Sequence, residues 1–299
     1  MHDHHHDHHH HVHHDSSQNI ATAFWLNFVF TLIEFVGGVL TSSTAIMADA
    51  IHDLGDTLSI GLAWLLQKMS GKKADRRFSY GYRRFSLLGA LVNSVILVVG
   101  SIWVLTEAIP RLANPTMPHA VGMFWLAVLG VAVNGFAAYR LSKGQTLNER
   151  VLNWHLIEDV LGWVAVLVAS VVLMVVDWPI IDPILSIGFT IFILVNVIRN
   201  LWRTLLVFLQ AAPNDQLHHE IEGKLQQLDH IQAIHHLHIW SLDGEKHVLT
   251  AHLVLENAID AHVQRQTKEA VAQTLAKYPF EHTTIELEQP REPCRDGEC

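Results

Sequence analysis

The sequence predicts an α-helical membrane protein, with six transmembrane helices followed by a small cytoplasmic α+β domain of αββαβ order. Three observations lead there. Six apolar runs each reach the ~20 residues that a helical span requires. Half of the 299 residues are hydrophobic and only 16% are charged, too apolar for an ordinary soluble domain. After Pro213 the composition turns soluble and amphipathic.

The spans fall at about Asn19–Leu40, Thr44–Gln67, Phe85–Ile109, Ala120–Leu141, Val151–Val176 and Ile180–Asn200. Lys68, Lys72, Lys73, Arg76, Arg77, Arg83 and Arg84 lie between the second and third, Arg140, Lys143 and Arg150 around the fourth-to-fifth connection, and Arg199 and Arg203 at the end of the sixth. The opposite connections hold only Arg111. This bias places both termini in the cytoplasm of an integral protein of the cell (inner) membrane. Asn27, Glu34, Asn93 and Glu107 lie within spans; Glu34 either lines a route or serves interhelical hydrogen bonding and packing at the membrane edge. Asp182 reads as the helix-start residue of the sixth span.

Residues 1–15 are almost entirely His and Asp, a segment with nothing to bury that reads as disordered and as a low-affinity metal collector, with a purification tag or dispensable tail as the alternative. The membrane domain is then residues 16–208, the cytoplasmic domain 209–290 and a Cys-containing tail 291–299. Both cysteines, Cys294 and Cys299, lie in that tail, so no disulfide framework holds the fold. A formal charge of −9 with histidines neutral, and no nucleic-acid motif, argue against nucleic acid as a partner. Twenty-three histidines point to metal first.

In the soluble part, Asp215 opens a helix to Leu228 with Leu217, Ile221 and Leu225 on one face. Residues 235–242 and 246–256 alternate as two strands joined through Asp243-Gly244, a hairpin signal. A second helix at about 260–277 and a third strand at 282–288 complete a two-layer ferredoxin-like domain. His238, His252 and His282 with Glu288 would meet on one side of its sheet, with thiolates from Cys294 and Cys299; His235, His236 and His247 are substitutes, and plain surface histidines are the alternative.

The densest chemistry sits in the second span, where Asp49, His52, Asp53 and Asp56 interrupt an apolar run. Each charge at mid-membrane costs at least ~2.5–3.5 kcal/mol, so these groups need a partner. His52 and Asp56 are four residues apart and share a helix face; His155 and Asp159 repeat the spacing in the fifth span. One such pair also suits an interhelical hydrogen bond. Two facing pairs give two imidazoles and two carboxylates, a set suited to tetrahedral zinc.

Ala48-Asp49-Ala50 leading into His52 and Asp56, with Asn148 to Asp159 reading Asn-Glu-Arg-Val-Leu-Asn-Trp-His-Leu-Ile-Glu-Asp, resembles the cation diffusion facilitator family in its zinc-transporting branch, from about Ile20 to Pro290. The resemblance implies a homodimeric zinc exporter, not an enzyme, that exchanges Zn2+ for protons by alternating access, with spans one, two, four and five rocking against three and six. It also implies extra metal on the cytoplasmic strands as a regulatory ligand. The turn Phe78 to Arg84 departs from the family pattern, holding no His or Cys for a loop metal site. Two other classes compete. An intramembrane metalloenzyme would carry His-Glu-x-x-His, where this chain has His155-Leu-Ile-Glu-Asp. A membrane metal sensor would bind without flux.

Overall fold

The computed structural model describes residues 12–141 and 147–294, excepting the side chains of 12–24, 140–155 and a few other helical positions. Six long helices come first: α1 (Val12–Thr41), α2 (Thr44–Ser70), α3 (Phe85–Ala113), α4 (Ala120–Leu141), α5 (Leu147–Val175) and α6 (Ile181–Phe208). Four described stretches, Phe85–Ala113, Ala120–Tyr139, Leu156–Val175 and Ile181–Phe208, are long and apolar enough to cross a membrane. Helix α2, whose side chains are only partly described, carries Asp49, His52, Asp53 and Asp56 in its first half. At the start of the chain, α1 reaches back to Val12, so the last four residues assigned to a disordered segment are helical, while residues 1–11 lie outside the described part.

The chain divides into two compact units, residues 1–65 with 92–201, and residues 66–91 with 202–299. In the first, Phe30, Ile46, Met123, Trp163 and Val166 form one core cluster and Ile51, Leu97, Val104 and Val197 another. Large apolar side chains such as Leu40, Trp125, Phe136 and Phe192 remain exposed, the surface expected of helices solvated by lipid. Helices α4 and α5 pack closely because Gly130 has no Cβ; one built there would overlap the Trp163 indole, which is only 1% exposed. Arg111 Nη1 at the end of α3 donates to Ser42 O at 2.7 Å, which puts that end beside the connection from α1 to α2.

At that same connection Asp182 stands at the helix start expected of it and has a second role. It lies in the first turn of α6, yet its carboxylate accepts Ser43 Oγ at 2.5 Å, Thr44 N at 2.7 Å, Thr44 Oγ1 at 2.8 Å and Ala45 N at 3.3 Å. It thus caps α2 from a distant helix, taking up N-terminal amides that would otherwise be buried without acceptors.

The second unit contains α7 (Asp215–Gln226), β1 (Ile231–Ser241), β2 (His247–Leu255), α8 (Ala261–Leu275) and β3 (Phe280–Glu288), in the αββαβ order expected. Asn214, not Asp215, is the N-cap of α7, accepting from Leu217 N, and Asp260 caps α8. The three-stranded sheet is mixed: β1 pairs antiparallel with β2, and β3 returns parallel beside β2 after the α8 crossover. Leu249, Ala251, Leu253 and Leu255 alternate onto the face packed against Ile221, Leu225, Val271 and Leu275 of the helices. Val248, Thr250, His252 and Val254 therefore occupy the other face.

Within the same unit the segment between α2 and α3 is held by Asp75. Its carboxylate accepts from Tyr82 Oη at 2.6 Å and from the amides of Phe78 and Arg77 at 2.8 Å. Those bonds, the tyrosine's first, hold the Asp75 carboxyl below its ordinary 3.8 and push the Tyr82 phenol above 10.0. Arg83 pairs with Asp243 at 3.4 Å and Glu281 at 3.3 Å, and Tyr80 stacks edge-on against Trp240 and His282.

Candidate metal centre

His52 Nε2 lies 3.7 Å from Asp56 Oδ2 on its own helix and 3.8 Å from Asp159 Oδ1 on α5. The first separation follows from the i, i+4 spacing. The second shows that α2 and α5 present these turns to each other. Ligand atoms 2.0–2.2 Å from a tetrahedral zinc are separated by about 3.4 Å, so both distances are slightly wider than one ion would draw them. Asp159 is 10% exposed at its side chain and the other two about a quarter. His155 lies in α5 one turn before Asp159, and its side chain is outside the described residues. Three of the four expected ligands are therefore gathered by two helices.

Around this centre α1 supplies polar contacts. Asn27 Nδ2 donates to Thr57 Oγ1 at 2.9 Å and to Asp53 O at 3.3 Å, and Asn93 of α3 donates to Ser59 at 2.6 Å. These are the interhelical hydrogen bonds expected of polar groups in spans. Glu34 differs. It is fully buried, and no amide, hydroxyl or cationic side chain reaches its carboxylate, whose neighbour is the Asp53 carboxyl of α2.

A second group lies on the sheet face not packed against α7 and α8. His235, His252, Glu288 and Cys294 each place one ligand atom within 4.8 Å of the others. Glu288 bridges the imidazoles, accepting His235 Nε2 at 2.8 Å and His252 Nδ1 at 2.7 Å, while Cys294 Sγ lies 3.8 Å from His252 Nδ1. Burial pushes the Glu288 carboxyl up, but the two histidine hydrogen bonds outweigh it and leave the group below 4.5. One thiol, two imidazoles and a carboxylate match a zinc ligand set.

His252, Glu288 and Cys294 were expected in this group; His235 takes the place given to His238. The cause is a bulge in β1. His236 adopts φ 50°, and pairing shifts from His235↔His252 to His238↔Thr250. The extra residue returns His235 and His238 to one face but sets His238 a step away, opposite Thr250. His282 is also on this face, paired with Val248 and packed on Tyr80, but six residues before Glu288, about 20 Å along a strand. The sidedness expected for His238, His252, His282 and Glu288 is present, and convergence of all four is not. Cys299 lies outside the described residues.

Residues 20–209 match the family profile described as the cation efflux transmembrane domain, and residues 213–290 the cation efflux protein cytoplasmic domain. The chain is similar to the zinc transporter ZitB of Escherichia coli, 31% identical over 100% of this chain and 95% of that protein. It is 31% identical to the metal cation efflux system protein CzcD of Cupriavidus metallidurans, over 95% of this chain and 90% of that one. A cadmium, cobalt and zinc/H(+)-K(+) antiporter of Bacillus velezensis is 29% identical over 87% and 84%. With both profiles matched in chain order and the paired turns of α2 and α5 brought together, this chain belongs to the cation efflux, or cation diffusion facilitator, family, whose members are membrane transporters and not enzymes.

Proposed function

We propose that the protein exports Zn2+ from the cytoplasm in exchange for protons, through a site made by His52, Asp56, His155 and Asp159. The observation that carries the reading is the approach of His52 Nε2 to carboxylates of both α2 and α5. Metal requires neutral imidazoles and ionised carboxylates, so protons compete for the same atoms. A proton gradient then drives exchange, with metal displacing protons on the cytoplasmic side and protons displacing metal outside; imidazole, titrating near neutrality, is the natural carrier. Two nitrogen and two oxygen donors favour Zn2+ and accept Co2+, and suit Cd2+ or Mn2+ less. A relative named as a zinc transporter and one named as a cadmium, cobalt and zinc/H(+)-K(+) antiporter support zinc as cargo and protons as counter-ion, while the second name also carries cadmium.

In this reading α1 to α6 are six spans with both termini cytoplasmic in the inner membrane, and the His-rich residues 1–15 collect metal. The ferredoxin-like domain at 209–290 dimerises and binds regulatory zinc through His235, His252, Glu288 and Cys294, with Cys299 from the tail. The relevant experiment is pH-gradient-driven zinc uptake by proteoliposomes containing purified protein. Asp159→Ala is expected to abolish uptake while the protein remains monodisperse; retained exchange would remove the site from the pathway. A sensor would bind zinc in the same vesicles without flux.

A further inference from the structure

We infer that Glu34, Asp49 and Asp53 form a second cation site in the membrane domain, an all-oxygen site that takes a divalent metal ion passing between the four-ligand site and the outer face. The inference rests on the proposed transport reading for its direction, and on the following geometry for its existence. Asp49 and Asp53 lie one turn apart on α2, and Glu34 faces them from α1; each offers one oxygen, and the three oxygens lie within 4.8 Å of one another. Glu34 is 0% exposed, no amide, hydroxyl or cationic side chain reaches its oxygens, and its side-chain partner is the Asp53 carboxyl, so the pair must share a proton or a cation. Asp49 Oδ2 is buried without a hydrogen-bond donor, and Asp53 is 4% exposed. Among the described residues no Lys, Arg or His forms an ion pair with any of the three.

A buried carboxylate without a donor is costly, and three together repel one another, so the cluster needs positive charge from outside the protein. Convergent oxygens with no nitrogen or sulfur select a hard ion, and ions of Mg2+, Mn2+ or Zn2+ size bind oxygen at 2.0–2.2 Å, so a modest contraction would close the site. Its position follows the chain. Asp49 is five residues into α2, nearer the connection to α1 than His52, and a Cβ on Gly162 would stand 3.8 Å from Asp49 Oδ1. Gly162 is one turn beyond Asp159 on α5, so Asp49 lies one turn outward of the first site and faces the same helix.

The test counts Mn2+ bound by purified full-length protein at equilibrium, in a background where Asp56→Asn, His252→Ala and Cys294→Ser disable the other two sites. Adding Glu34→Gln or Asp49→Asn, both nearly isosteric, is expected to remove about one Mn2+ per chain and its six-line spectrum for an oxygen-ligated ion. The His-rich terminus is the same in every variant and cancels in the difference. Equal Mn2+ counts with and without Glu34→Gln would overturn the site and leave protons alone to neutralise the cluster. A second arm keeps the unsubstituted protein and locates Mn2+ by anomalous scattering. A peak among the three carboxylates supports the site, and its absence at saturating Mn2+ overturns it even if the variants do not fold. Neither arm reads flux, so failure here leaves the Asp159→Ala result intact, and failure there leaves this binding result intact.

Discussion

Replacing Asp182 by alanine removes the acceptor for two amides and two hydroxyls at the start of α2, at a position only 2% exposed. The hydroxyls of Ser43 and Thr44 can turn to backbone carbonyls, but the amides of Thr44 and Ala45 cannot turn. Each buried amide left without an acceptor costs about 1–3 kcal/mol, so the pair accounts for about 4 kcal/mol. At about 2–4 °C per kcal/mol for a domain of this size, Asp182→Ala should lower the melting temperature in detergent by on the order of 10 °C. Asp182→Asn keeps a carbonyl acceptor and loses the charge, and should cost about half as much. Because α2 carries His52 and Asp56, zinc flux at a temperature where the variant is still folded should fall with the loosening of that helix. The assay is thermal unfolding of purified protein followed by proteoliposome uptake. A melting shift below about 2 °C for Asp182→Ala would show that water or other groups satisfy those amides, and the cap would lose its significance.

Two further outcomes follow from other parts of the molecule. His52→Asp exchanges an imidazole for a third carboxylate and should broaden selectivity toward Mn2+ or Cd2+, measured as competition against zinc uptake; unchanged preference counts against His52 as a ligand. The Asp75–Tyr82 bond sets a pH window for the segment between α2 and α3. Asp75, held below 3.8, stabilises it above that value and ceases to as pH falls through the depressed pKa; Tyr82, raised above 10.0, stabilises it below that value and ceases to as pH rises. Hydrogen exchange of residues 71–84 should be protected between about pH 5 and pH 9 after correction for intrinsic rates, and Asp75→Asn should lose that protection throughout.

The helices and the His52–Asp56 pair were legible in the sequence because both rest on local periodicity: apolar runs of span length and an i, i+4 step. Contacts between distant elements were less so. Asp182 reads locally as the start of its own helix, which it is, and only the fold reveals that its carboxylate also serves α2. Glu34 sits in a helix apolar on nearly every side, so composition alone does not say which face is buried. Strict alternation puts His235 on the face opposite His238, and a single left-handed residue at His236 resets the phase. A second His in a run of His-His-Leu-His carries no mark of such a bulge.

The notch at Gly130 also constrains how the molecule moves. With an indole seated against bare backbone, α4 and α5 cannot slide lengthwise past each other by a turn without unseating Trp163. In the proposed alternating-access cycle the two helices would then travel together, carrying His155 and Asp159 on one rigid pair. A bulkier side chain at that notch would displace the Trp163 indole and part the two helices, a change that replaces none of the proposed metal ligands.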